Sequence, residues 1–360
     1  MTHATNSDQA RTSAEVAAEL KLGAFVLRPP DATEAIRRFR VAEWEGYDAA
    51  FATQVNGADS MALMAAASVL TRDIEIGVGV SPIYLRTPTS MAQSAATLWD
   101  LSGGRIKLGL GSGHRLVMQR WYGAAMERPV AEMREYVAIM RGVLDGEPLK
   151  KADRWASDMP LVGIATAPEM PLLIGALSPA MLRLAGEVAQ GVMVWLATPG
   201  YFEETVIPHV REGRARIGKT LEGFDVVASI PVAVTDDPES VRRLYVRQIA
   251  HNLRLPFYRA ILERHGYLDD LALINEVDAY EDLENPMPES AMDSLASGAL
   301  VRDIAAIGDG FAVVEKLAEY RRAGVTYAGI NPVRISDYDA SLAAVARALG
   351  RPPRTAAEDR

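Results

Sequence analysis

Residues 95–114 read Ala95-Ala96-Thr97-Leu98-Trp99-Asp100-Leu101-Ser102-Gly103-Gly104, then Arg105-Ile106-Lys107-Leu108-Gly109-Leu110-Gly111-Ser112-Gly113-His114. Ala92, Ala95, Leu98, Trp99 and Leu101 recur at helical spacing, and Gly103-Gly104 supplies the left-handed backbone that ends a helix. Ile106, Leu108 and Leu110 then alternate with Lys107, Gly109 and Gly111, which predicts a strand. Glycines along one face of a strand leave room for a flat ligand or for another backbone. Gly111-Ser112-Gly113 offers amides and a hydroxyl to an anion. A dinucleotide fingerprint needs a helix that opens inside the glycines, whereas Arg115 to Tyr122 reads as a long loop.

Outward from this stretch, strands alternate with helices. The expected strands are Gly23–Leu27, Tyr47–Val55, Ile74–Val80, Ile106–Leu110, Pro171–Leu177, Gly191–Leu196, Phe224–Val234 and Thr326–Pro332. Between them lie helical patterns. Asp31 with Glu34 caps the first, and Ser178-Pro179 opens another with a capping residue and a first-turn proline. Such alternation implies a parallel sheet, and eight repeats fit a closed (β/α)8 barrel. Residues 238–300 are too long for one crossover and read as a mostly helical insertion over the barrel mouth. The expected division is a flexible N-terminal tail (1–21), one barrel domain (22–350) and a C-terminal tail (351–360).

The chain has 360 residues, a net charge of -9, 49% hydrophobic and 24% charged residues, and no cysteine. Disulfides, thiolate nucleophiles and cysteine-ligated metals are thereby excluded. The acidic balance without a basic stripe argues against nucleic acid or an anionic membrane as a partner. No apolar run is long enough to span a bilayer and the N-terminus lacks a secretion signal, so the expected location is cytoplasmic. No His/Asp/Glu group stands at ligand spacing, and no metal is expected.

Leu101-Ser102-Gly103-Gly104-Arg105 running into Leu108-Gly109-Leu110-Gly111-Ser112-Gly113 resembles the luciferase-like monooxygenase superfamily, over about Gly23 to Leu349. Ala185-Gly186-Glu187-Val188-Ala189-Gln190-Gly191 is similar to a second family segment, with Gln190 where aspartate is usual. Pro82 to Pro88 and Gly111 to Arg115 look like the group of oxidoreductases that uses the deazaflavin coenzyme F420. That resemblance implies hydride transfer between coenzyme F420 and a small organic substrate at the barrel mouth. It also implies a cis peptide at Gly79–Val80 against the coenzyme ring, and a homodimer. Thr53, Gly79, Val80, Ser112, Gly113, Arg115, Gly175, Ala176 and Ser178 would bind the coenzyme, although Ser178 serves equally well as a plain helix cap. His114 would give or take a proton, or else only stack or hydrogen-bond beside the ring. Gln54 stands where sugar-phosphate dehydrogenases of this group carry a histidine base. Glutamine takes no proton, which points to reduction of an activated double bond or carbonyl instead. Trp121, Tyr122, Trp155 and Trp195 are candidate walls of an apolar pocket. The alternatives are an FMNH2-dependent monooxygenase on the same barrel and a flavin- or deazaflavin-binding protein without a reaction.

Overall fold

Eight parallel strands close on themselves in the computed structural model, which describes residues 11–147, 153–155, 158–272, 274 and 287–354. They are β1 (Lys21–Val26), β2 (Ala49–Ala52), β3 (Glu75–Pro82), β4 (Ile106–Gly111), β5 (Leu172–Gly175), β6 (Gly191–Trp195), β7 (Asp225–Val234) and, after the short β8 (Ala306–Gly308), β9 (Tyr327–Pro332). Each of β1 to β6 pairs with the next, β6 pairs with β7, and β9 bridges β7 and β1. The (β/α)8 barrel read from the sequence is the architecture observed.

β8 was not expected. β6 ends with Trp195 opposite Ser229, and β7 runs on to Val234. Ala306–Gly308 pairs with Val232–Val234, so it satisfies the edge of β7 beyond the end of β6. Two helices also lie where irregular chain was expected. Thr12 and Glu15 form a reciprocal cap on Ser13–Ala18, within the segment assigned to the tail, and Arg322 donates to Ser13 at 2.9 Å. Arg115–Tyr122 is a helix rather than a loop, ended by Gly123 at φ +62°. Residues 1–10, 355–360 and 275–286, which fall in the expected tails and insertion, lie outside the described residues.

The barrel interior is filled by Phe25, Phe51, Leu173, Met193, Val227 and Tyr327. The Phe25 and Phe51 ring centroids are 5.5 Å apart, and Tyr327 meets Phe51 edge-on at 6.1 Å. These rings explain several glycines. A Cβ at Gly77 would fall 2.5 Å from Phe51, and one at Gly79 would fall 2.7 Å from Phe25. Protein rings therefore occupy the room that Gly77 and Gly79 leave. A Cβ at Gly109 would meet the Val78 carbonyl oxygen at 2.2 Å and the Met193 sulfur at 2.9 Å, while at Gly111 it would meet Val80 at 2.4 Å. The glycines admit protein, both backbone and side chain.

Arg105, the last residue of the five-residue turn, turns out to hold the frame together. Its guanidinium donates to the carbonyls of Ser68 (2.9 Å), Thr71 (3.0 Å) and Ile74 (2.8 Å) and to the Thr71 hydroxyl (2.9 Å). It thereby satisfies the end of helix Ser60–Leu70 and the start of β3. Gln190 carries a comparable load, since its amide oxygen accepts from Leu172 N at 3.0 Å and from Arg141 at 2.6 Å.

At the N-terminal end of the barrel, buried Lys107 lies 2.5 Å from Asp225 and 3.4 Å from Glu75, and Glu75 accepts the Tyr327 hydroxyl at 3.1 Å. A buried ammonium that loses its nearer counter-charge, and keeps only Glu75 at 3.4 Å, is costly. Asp225→Ala is expected to lower unfolding stability by about 3 kcal/mol in urea titration at pH 7. A loss below about 0.5 kcal/mol would mean that Lys107 is solvated rather than paired.

Candidate functional site at the barrel mouth

Ligand sites in this architecture lie at the C-terminal ends of the strands. Several residues there stay half-buried although they belong to the sheet: Gly79 and Val80 on β3, Gly175 on β5, Trp195 on β6, Ser229 on β7 and Asn331 on β9. The interior packing thus stops short of the rim, and solvent reaches these strand ends. Among them is the Gly79–Val80 step, whose peptide bond is cis. Pairing between β3 and β4 shifts register between Val78 and Ser81, and Val80 turns towards Gly111 and Gly175. The structure therefore brings Gly79, Val80, Gly111 and Gly175 together. Thr53 and Gln54 follow β2, whose Ala52 pairs with Val78.

The loop after β4 carries Ser112, Gly113 and His114. Gly113 has φ +69°, and His114 is the N-cap of helix Arg115–Tyr122 without any side-chain hydrogen bond to that cap. The helix therefore starts with free amides beside the Ser112 hydroxyl and the exposed Arg115, an arrangement suited to an anion. The anion site expected after β4 thus comes with a helix of its own. Its legible signal was Gly123, the left-handed stop eight residues on. After β5, Ser178 caps helix Pro179–Val188, accepting from Met181 N at 3.4 Å, and Ala176 N donates to the Met193 carbonyl at 3.1 Å.

His114 is the titratable centre of this rim. Its Nδ1 is buried and has no hydrogen-bond partner. Burial, with a smaller contribution from nearby His251, lowers its pKa to about 4. At neutral pH the ring is an uncharged imidazole with one N–H and one lone pair. Its face lies near-parallel to Tyr258, 6.2 Å between centroids, and Tyr258 meets Trp195 edge-on at 5.4 Å. Tyr258 belongs to the insertion after β7, which thus reaches over the mouth; no strand-end rule points to it.

Gln54 is placed differently from a base. Its carbonyl oxygen accepts from the Ser60 amide (2.8 Å) and hydroxyl (2.7 Å), so it joins Asp59 in capping helix Ser60–Leu70. Of the four aromatic candidates, Trp195 lines the mouth, and Tyr122 reaches the rim, donating to the Val55 carbonyl at 2.5 Å. Trp155 instead packs edge-on against Tyr136, 5.4 Å away. Arg28, after β1, and Leu196, after β6, adopt left-handed φ of 39° and 57°, so two strand ends carry the backbone strain that gathers at functional rims.

Two recesses elsewhere are built from charges that already pair. One, of about 340 Å³, lies at the opposite end of the barrel among Lys21, Asp48, Asp73, Glu75 and Arg354. Arg354 is bound to Asp73 and Asp48 to Arg351. The other, of about 260 Å³, lies beside Thr198, His265, Asp303 and Lys316. No group of acidic and histidine side chains suited to a metal occurs among the described residues.

Barrel and rim together define an enzyme scaffold with its candidate site at the strand ends. The chain belongs to the luciferase-like monooxygenase family, whose model matches residues 5–327. It is 30% identical to the 5,10-methylenetetrahydromethanopterin reductase of Archaeoglobus fulgidus over 292 residues, covering 80% of this chain and 86% of that protein. The solved coenzyme F420-dependent tetrahydromethanopterin reductase of Methanopyrus kandleri superposes with a TM-score of 0.76 at 24% identity, over 91% of this chain and 97% of that one. An F420-dependent secondary alcohol dehydrogenase solved with an F420-acetone adduct superposes with a TM-score of 0.72 at 18% identity, over 92% of this chain and 99% of that one. The last two likenesses establish the fold.

The His114 environment has a measurable consequence. Its folded pKa, about 4, lies below the ordinary 6.5, so between these values the unfolded chain binds more protons. His114 therefore withdraws stability as pH falls from about 6.5 to about 4. His114→Phe is expected to lose less stability than wild type between pH 7 and pH 5 in urea titrations. Equal losses would show that the imidazole is not held neutral.

Proposed function

We propose that this chain is an oxidoreductase that transfers a hydride between coenzyme F420 and a small organic substrate at the barrel mouth. The observation that carries this reading is the helix start at Arg115, free of any side-chain cap, set beside the neutral imidazole of His114 with its unpartnered Nδ1. The first answers an anion and the second a polar group in a dry place. Family membership and the named F420-dependent relatives support the choice of coenzyme.

In this reading Ser112, Gly113, Arg115 and the first amides of their helix hold the coenzyme phosphate, opposite Gly175, Ala176 and the Ser178 helix start. Thr53, Gly79 and Val80 bear on its ring. When bound, the deazaflavin supplies the site where a hydride is carried. His114, uncharged at pH 7, either hydrogen-bonds the substrate's reacting group or passes it a proton as charge develops there. Gln54 orients through its amide, because its carbonyl is committed to Ser60 and glutamine takes no proton. Reduction of an activated double bond or carbonyl follows more readily from such a set than oxidation by a strong base. No described helix is long and apolar enough to cross a membrane. A cytoplasmic homodimer belongs to the same reading, on resemblance and composition.

Titration of the purified chain with coenzyme F420 and with FMN, followed by fluorescence, is expected to give tighter binding of F420, as the likeness to F420-dependent enzymes implies. Tighter FMN binding would make the chain a monooxygenase of the same family instead, and binding of F420 without turnover on any acceptor would leave a binding protein. His114→Ala is expected to lower turnover by roughly tenfold to a hundredfold while the coenzyme Kd stays within about twofold. Unchanged turnover removes His114 from the reaction.

A further inference from the structure

The side of the mouth formed by His114 and Trp195 is completed by a residue from outside the barrel. Tyr258 stands in the first turn of helix Pro256–Arg264. It packs against both large hydrophobic clusters, the one between sheet and outer helices and the one inside the insertion. Its plane is fixed on two sides, by Trp195 at 88° and by Phe257 at 70° with centroids 5.7 Å apart. The ring is thus held rigidly with its face 23° from parallel to the His114 ring. Burial pushes the phenol up to about 12, so it carries no charge at neutral pH. A fixed, uncharged aromatic face beside a polar reacting group sorts ligands by shape. Flat conjugated molecules gain offset stacking over the whole ring, whereas puckered saturated ones touch it at a few atoms.

We propose that Tyr258 is a specificity-determining residue, whose ring takes the flat face of a conjugated acceptor, an enone or a quinone, and holds it beside His114. This rests on the mouth being the substrate site, as in the reading above, and adds the substrate class. The insertion thereby selects what the barrel reduces.

The test is calorimetric titration of the full chain, with and without oxidised coenzyme F420. Two probes are used: menadione, a planar bicyclic quinone, and cyclohexanone, a puckered ketone. Wild type and Tyr258→Phe are expected to bind menadione alike. Tyr258→Ala and Tyr258→Leu are expected to bind it about tenfold more weakly, with cyclohexanone changed less than about twofold. The leucine variant keeps bulk without a flat face, which separates loss of stacking from a packing defect. Equal weakening of both probes, no weakening of either, or failure of wild type to take menadione overturns the proposal. If menadione follows residue 258 while coenzyme F420 does not bind at all, the assigned function falls and the aromatic slot stands.

Discussion

The height of the packed interior governs this molecule. Phe25 and Phe51, with Met193 and Tyr327, fill the barrel from the Lys107 ion pairs upward. They do so only because Gly23, Gly77, Gly79 and Gly329 offer no side chains of their own against those rings. Where the rings end, the solvent-reached strand ends begin. A larger residue at Gly77 or Gly79 would drive the phenylalanines towards the rim, and overpacking of that kind costs about 1–3 kcal/mol. Stability below and access above are therefore two sides of one packing problem.

That constraint corrects a natural reading of glycine-rich strands. The period-two pattern through Gly109 and Gly111 identifies a strand and small residues on one face, which is correct. It does not say what enters the space, because the occupants, Val80 and Met193, come from other strands. Eight strands, their order and the closing of the sheet were legible, since alternation and helix caps are local signals. The three-residue β8 was not, being shorter than any period. The helix Arg115–Tyr122 escaped because Met118 is its single buried residue, too little for an amphipathic stripe. The reciprocal cap at Thr12 and Glu15 is a local signal too, set among polar neighbours without an apolar stripe beside it.

The site was legible in proportion to how local it is. Ser112, Gly113, His114 and Arg115 follow one strand, so the strand-end rule finds them together. Tyr258 is 144 positions beyond His114, and only folding of the insertion brings it there. Gln54 sits where expected, yet its commitment to Ser60 depends on the turn that follows β2. Arg105 shows the reverse case: a conspicuous residue of the recognisable turn whose work is to bind carbonyls of the frame.

β8 gives the insertion an unusual status. The excursion leaves the sheet at Val234 and returns at Ala306, which pairs with Val232 two positions back along β7; β8 then runs beside the end of β7, with Thr235 N donating to the Gly308 carbonyl at 2.7 Å. Departure and return thus lie about 8 Å apart, one inter-strand spacing across and two residues along. A segment whose two ends meet can be lengthened, shortened or exchanged without moving any stave of the ring. The barrel behaves as a socket, and the piece bearing Tyr258 as a cartridge that evolution or a designer can replace while the strands beneath stay put.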